Sequence, residues 1–270
     1  MDFKERLVLI TGASSGIGAA TAKEFAKHNA KVLLLARREE ELKKIAIEIK
    51  QNGGYAKFYV VDISDYKSVE KVAKKIKKEI GVPDIIFNNA GIGIWKFVEE
   101  TSPEEVHALM TVYFGAFFIT RAFMPEMLKR NSGHIINMSS AASVLQFPGL
   151  TGYISAHAAM RGFNNALRVD LYDTNIKTTL VSLAKIKSTF WSNNPGSEER
   201  YTKIAYLMGV PTVEHVAKKI VKGAYKGKKV VVIPFLLRPA QFIGLIFPSF
   251  MRWILCKTGY KRKVDETMQK

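Results

Sequence analysis

Cysteine is nearly missing from this chain of 270 residues. The single thiol, Cys256, excludes an internal disulfide and suits a reducing, cytoplasmic compartment. Acid is scarce beside base: 24 Asp and Glu face 41 Lys and Arg, a net charge of +17. Residues 211–270 alone hold 13 bases against 3 acids. Such a surface attracts anionic membrane, nucleic acid or anionic ligands, and a plain Lys-rich solvated surface is the competing reading. No basic stripe is interleaved with aromatics, so nucleic acid is not an expected partner; no metal is expected either. Repeats, low-complexity tracts and interdomain linkers are absent. The opening Met1 to Arg6 is too charged, and the run Leu7 to Ile10 too short, for a secretory signal.

Apolar residues are plentiful, 47% of the chain, enough to bury a substantial single core. They fall in short continuous runs that alternate with helical patterns. Strands are expected at 7–11, 31–36, 56–61, 84–88, 133–138, 178–183 and 229–233, and helices at 17–28, 38–51, 66–80, 103–130, 152–173 and 213–225. Strand–helix alternation with uninterrupted apolar strands predicts an α/β fold, a Rossmann-like doubly wound parallel sheet of about seven strands with helices on both faces. Residues 1–235 are expected to form this domain, with a lid near 187–210, followed by an apolar and basic tail over 236–270.

The first strand runs into Thr11-Gly12-Ala13-Ser14-Ser15-Gly16-Ile17-Gly18 and then a helix. Glycines here let the backbone approach a pyrophosphate, and the helix start offers free N–H groups and a positive dipole end. Further along come Asp62 after the third strand, Asn88-Asn89-Ala90-Gly91 after the fourth, Ser140 after the fifth, and Tyr153 thirteen residues beyond Ser140. In this order, over about residues 5–235, the chain resembles the short-chain dehydrogenase/reductase family. The resemblance implies an NAD(P)-binding domain in which Gly12, Ser14, Ser15, Gly16, Ile17 and Gly18 hold the phosphates and Asp62 bonds the adenine. Asn89, Ala90 and Gly91 lie near the cofactor, and Ser188 contacts the carboxamide, with Thr189 beside it. It makes Tyr153 the acid/base and Ser140 the group that orients the substrate oxygen. The second strand ends in Ala36-Arg37 where NAD-selecting enzymes place an acid, so Arg37 favours NADP(H) over NAD.

Three departures from the family pattern cluster at the nicotinamide side. His157 stands where the family has the lysine that lowers the tyrosine pKa and bonds the ribose, four residues after Tyr153 on the same helical face. Imidazole is shorter and mostly neutral at pH 7. A partial catalytic role, a binding role and no role stand side by side for it. Val112 replaces the asparagine of the family's proton relay and can neither donate nor accept a hydrogen bond. Leu183-Ala184 replaces a Pro-Gly pair, with Lys185 and Lys187 following as further sources of positive charge.

On the substrate side the resemblance directs Trp95, Leu145, Phe147, Phe190 and Trp191 toward the cleft. Tyr201, Tyr206, Leu207 and Met208 also fall in the lid. An apolar substrate such as a steroid, retinoid or lipid is expected; packing of the lid on itself is the other reading. The uncharged tail run Pro239 to Met251 has 13 residues and contains Pro248, short of the roughly 18–20 a bilayer span requires. With Trp253 and Lys257, Lys261, Arg262 and Lys263, residues 235–263 fit a segment lying on an anionic membrane from the cytosolic face. A cap over the cleft or a homo-oligomer contact is the alternative, and the family resemblance implies an oligomer in any case. The leading expectation is an NADP(H)-dependent oxidoreductase of a lipophilic alcohol or ketone with impaired catalysis. A cofactor-binding scaffold or sensor is the rival, and a membrane-associated paralogue that binds nothing is the weakest reading.

Overall fold

The computed structural model describes residues 1–188, 197, 200, 202 and 209–262. Seven strands form one parallel sheet: β1 (Leu7–Thr11), β2 (Lys31–Ala36), β3 (Tyr55–Val60), β4 (Ile85–Asn88), β5 (Gly133–Ser140), β6 (Ile176–Leu183) and β7 (Val230–Ile233). Their order across the sheet is β3-β2-β1-β4-β5-β6-β7. The chain therefore winds outward one way from β1 and then the other way from β4, which leaves a crevice beyond the carboxyl ends of these two strands.

Side-chain alternation splits each strand between two cores. Val8, Ile10, Val32, Leu34, Phe87, Ile136 and Val181 point to a layer made by α1 (Gly16–Lys27), α2 (Glu39–Gln51) and α6 (Val213–Tyr225). Leu7, Leu9, Leu33, Leu35, Ile86 and Ile135 point to the opposite layer of α3 (Tyr66–Glu79), α4 (Pro103–Lys129) and α5 (Thr151–Asp170). Burial on both faces explains why the strands read as continuous apolar runs. Sequence-local signals start the helices: Asp65 accepts from the amides of Lys67 and Ser68, and Ser102 forms a capping box with Glu105 ahead of Pro103. Helix α4 has the length and apolar content to cross a membrane, yet Leu109, Ile119, Phe123 and Met127 on it are buried against the domain. The expected helix at 152–173 ends earlier, at Asp170, where Leu171 turns the chain into β6.

The tail forms two further helices, α7 (Leu237–Ile246) and α8 (Pro248–Thr258). Pro248, which interrupts the apolar run, serves as the first residue of α8, where its missing N–H costs nothing. Leu237, Met251 and Leu255 pack onto Ala141, Leu145, Val144 and Phe147, and Gln241 donates to the Ser182 hydroxyl at 2.7 Å. The tail thus divides between the two readings of its sequence, one face buried on the domain and the other exposed.

Candidate functional site

A cleft of about 590 Å3 runs along the carboxyl edge of the sheet. Its lining comes from residues that follow strands: Gly12 after β1, Arg37 and Arg38 after β2, Asp62 after β3, Asn89 and Gly91 after β4, Ser140 at the end of β5, and Ala184, Lys185 and Ser188 after β6. Tyr153 and His157 on α5 close the far end, with Trp95 beside them.

At the near end the glycine loop has no room for side chains. A Cβ on Gly12 would stand 2.8 Å from Ala90 Cα, and one on Gly18 would stand 2.3 Å from the Gly12 carbonyl. No side chain caps α1 at Ser15, and its first turn holds no acid. The exposed amides and dipole of α1 therefore point at the cleft, which is the arrangement a pyrophosphate requires. Asn89 ties the loop down, donating from its side chain to the Thr11 carbonyl at 3.0 Å, while its own amide donates to the Thr11 hydroxyl at 3.0 Å. Asp62 accepts from the Ser64 amide and hydroxyl at 2.9 and 2.7 Å. The side chain of Arg37 is 73% exposed and reaches Asp62 at 4.0 Å. Arg38, which the sequence reading passed over, donates to the Ser14 and Ser15 hydroxyls at 3.0 and 2.7 Å. The Arg37-Arg38 doublet was the available signal; only the loop's curl brings its second member onto the serines. The two guanidiniums make this end of the cleft cationic.

At the far end the groups are tightly packed. The rings of Tyr153 and His157 lie 4.3 Å apart, and the Trp95 ring stacks on Tyr153 at 5.3 Å. Burial pushes the Tyr153 phenol above its ordinary pKa, opposed by its hydrogen bond with Ser140. His157 is 6% exposed, and burial pushes its imidazole down to about 4. Its Nδ1 has no hydrogen-bond partner among the described residues, although the ring lines the cleft. An orphaned buried nitrogen is costly, so this atom marks a place where a ligand hydroxyl fits. Glycine loop, uncapped helix and orphaned nitrogen together fit a dinucleotide laid along the cleft.

Behind the pair, Val112 is 4% exposed and clusters with Ala116 and Met160. It also presses on Gly91, where an added Cβ would come within 2.7 Å of its Cγ2. The surroundings of position 112 are thus apolar.

Leu145 and Phe147 are not among the described residues that line the cleft, contrary to expectation. Leu145 is buried beneath α7 and α8, and Phe147 packs at the edge of the same cluster, because the tail covers the segment after Ser140. Phe190 and Trp191, with Thr189, Tyr201, Tyr206, Leu207, Met208 and Lys263, lie outside the described residues. A clasp that no motif announced joins three segments. Arg200 pairs with Glu100, Arg262 pairs with Glu99 at 2.9 Å, and the Arg262 guanidinium sits 4.6 Å from the Phe97 ring. The Arg200 hydrogen bond, assisted by the Phe97 amide, pulls the Glu100 carboxyl down to about 2.

The buried histidines make a prediction about acid. Folded His157 titrates near 4, and His134, also desolvated, near 4. Unfolded imidazole titrates near 6.5, so between these values the unfolded chain holds the extra proton. Stability is full above pH 6.5 and falls toward pH 4, by about 1.4 kcal/mol per pH unit for each such histidine. Urea unfolding of His157→Gln is expected to show a shallower pH slope than the unchanged chain; identical slopes would contradict a neutral buried His157.

Comparison with known proteins agrees with this geometry. A family model described as short chain dehydrogenase matches residues 6–199. The chain is 31% identical over 246 residues to 17-beta-hydroxysteroid dehydrogenase 13 of Rattus norvegicus, covering 90% of this chain and 79% of the relative. It is 30% identical over 265 residues to a dehydrogenase/reductase SDR family protein 7-like of Anopheles gambiae, covering 95% and 84%. Among solved structures, the alcohol dehydrogenase of Thermococcus sibiricus complexed with 5-hydroxy-NADP superposes with a TM-score of 0.74 at 26% identity, over 85% of this chain and 96% of that one. A short-chain dehydrogenase/reductase of Burkholderia phymatum in complex with NAD shares the fold, with a TM-score of 0.80 at 21% identity over 98% and 100%.

Proposed function

The chain belongs to the short-chain dehydrogenase family, and from that premise we propose that it is an NADP(H)-dependent oxidoreductase working as a reductase on a lipophilic ketone of steroid, retinoid or lipid type. The observation that carries this reading is that Ser140, Tyr153 and His157 line the same cleft as the glycine loop and the Arg37-Arg38 pair. Bound NADPH would supply the hydride. The Ser140 hydroxyl orients the carbonyl oxygen, and the Tyr153 phenol donates its proton to that oxygen as negative charge develops there. A desolvated, half-buried phenol beside a neutral imidazole keeps its proton across neutral pH, so it serves as an acid far better than as a base. His157 offers Nδ1 to a cofactor hydroxyl, the binding role among the three weighed for it. Arg37 and Arg38 favour a cofactor with a 2′-phosphate, as in the relative solved with 5-hydroxy-NADP. The hydroxysteroid dehydrogenase likeness supports the substrate class.

A second reading, a cofactor-binding protein with little turnover, is favoured by the apolar cluster around Val112. Fluorescence titration and a cofactor-oxidation screen separate the two. Saturable NADPH binding with oxidation by steroid, retinoid or long-chain ketones supports the reductase. Saturable binding without oxidation by any of them supports the second reading, and absence of binding overturns both.

The exposed face of α7 and α8 supports docking on an anionic membrane surface. Phe235, Leu236, Phe242, Leu245, Ile246, Phe247, Phe250 and Trp253 are all exposed, flanked by Arg238, Arg252, Lys257, Lys261 and Arg262. Combined Phe242→Ser, Phe247→Ser and Trp253→Ser is expected to cut cosedimentation with phosphatidylserine vesicles about tenfold or more, given roughly 1.5–3 kcal/mol for each large apolar side chain fully buried. Unchanged cosedimentation would contradict membrane docking.

A further inference from the structure

The clasp joins the tail to the cleft by a short path. Glu99 and Glu100 stand four and five residues after Trp95, the cleft residue stacked on Tyr153. The turn that carries them is closed on itself. The Phe97 amide donates to the Glu100 carboxylate at 2.8 Å, and the Glu100 amide donates to the Phe97 carbonyl at 3.1 Å. Lys96 secures the same segment to the first turn of α4 through Glu105, at 2.6 Å.

The tail end grips this turn. Arg262, four residues past α8, pairs with Glu99 at 2.9 Å and lies 4.6 Å from the Phe97 ring, and the Tyr260 ring lies 6.2 Å from it. Phe97 also faces Gly149, two residues before α5 begins, where an added Cβ would stand 3.7 Å from the ring. A Cβ on Gly259 would stand 3.0 Å from Pro148. Tail end, Phe97 turn and the entry to the helix that carries Tyr153 and His157 are therefore packed together.

The two ion pairs of the clasp differ in shelter. Arg200 and Glu100 are 21% and 36% exposed, whereas Arg262 and Glu99 are 50% and 41% exposed. A half-exposed pair is weak and easily screened. An anionic bilayer attracts a basic side chain near its surface about as strongly as such a pair holds it. Arg262 is thus the exchangeable member, and Lys257 and Lys261 are exposed between α8 and it.

We propose that Arg262 is a headgroup-binding latch: when the exposed face of α7 and α8 docks on an anionic bilayer, a headgroup phosphate takes Arg262 from Glu99, and the Trp95–Glu100 segment loosens to admit a lipid-borne substrate to the cleft. The proposal rests on the docking reading. Arginine suits the exchange, because its guanidinium meets carboxylate and phosphate with the same two-pronged geometry. Surface charge then opens the cleft where an apolar substrate is dissolved, and in water the clasp keeps the segment in place.

Hydrogen exchange of residues 92–101, read by mass spectrometry on the full chain beside cosedimentation, makes the test. On phosphatidylserine vesicles these amides are expected to exchange about two- to fivefold faster than in solution, the factor a half-exposed ion pair is worth. Glu99→Gln should show the same rise without vesicles and no further rise with them. Phosphatidylcholine vesicles and inorganic phosphate should leave the segment of the unchanged chain protected. Cosedimentation with phosphatidylserine at unaltered exchange overturns the latch alone and leaves docking standing. A rise of equal size on phosphatidylcholine, or with inorganic phosphate alone, also overturns it. Absence of cosedimentation removes docking and latch together. The first comparison uses the unchanged chain, so a Glu99→Gln chain that misfolds does not protect the proposal, and unmoved exchange in folded Glu99→Gln overturns it. Neither readout depends on turnover, so the reductase reading is tested apart from it.

Discussion

Replacing Tyr153 by phenylalanine is expected to lower kcat for NADPH-dependent ketone reduction by about 10²- to 10⁴-fold, the range of a positioned general acid. NADPH affinity should stay within about twofold, because the ring itself, stacked on Trp95 and tilted against His157, is retained. The hydroxyl removed is the one hydrogen-bonded with Ser140. Its loss leaves the developing alkoxide without a proton donor. Stability should change little, since phenylalanine fills the same apolar box and leaves only the Ser140 hydroxyl, which also accepts from the Ala142 amide at 3.2 Å. Steady-state kinetics with saturating NADPH make the check. A fall in KM-linked terms alone, with kcat intact, would place the acid elsewhere.

The second large effect is expected from His157→Lys. The new ammonium would stand one helical turn from Tyr153, in the slot where the resembling family keeps its lysine. A fixed positive charge there stabilises phenolate, so the Tyr153 pKa should fall and alcohol oxidation near pH 7 should rise by about tenfold or more, one pKa unit being worth tenfold. Val112→Asn alone should do little, because it restores a relay to a residue with no charge to relay. The two changes together should exceed the product of their separate effects, because charge and water path act as one unit. Burying the ammonium will cost stability, and thermal unfolding must confirm that each variant is folded before rates are compared. Additive or absent gains would show that the neutral pair does not limit oxidation.

The sheet was legible because both its faces are buried. Leu33 and Leu34 serve opposite cores, so consecutive inner positions such as Val32 to Leu35 are apolar and the runs stood out. The glycine loop was legible because its spacing is a backbone requirement: a Cβ on Gly12 or Gly18 would clash. Tyr153, Ser140, His157 and Val112 came from motif spacing, and the helix places the first and third in ring contact. What sequence missed depends on distant segments meeting. Leu145 and Phe147 read as cleft residues until α7 and α8 covered them. Arg38 was overshadowed by Arg37, and the Glu99, Glu100, Arg200 and Arg262 clasp joins residues about a hundred or more positions apart, which no local pattern encodes. Lys185 was visible as a lysine in a departed motif, but only the register with Ser140 locates it in the cleft.

The central claim is a reaction end whose acid/base tyrosine is flanked by a neutral histidine. NMR titration of the His157 imidazole, assigned by its loss in His157→Gln, tests it most directly. The imidazole is expected to stay neutral from pH 8 down to pH 5 and to titrate near about 4. A midpoint near 6.5, with protonation already under way at pH 7, would contradict the account.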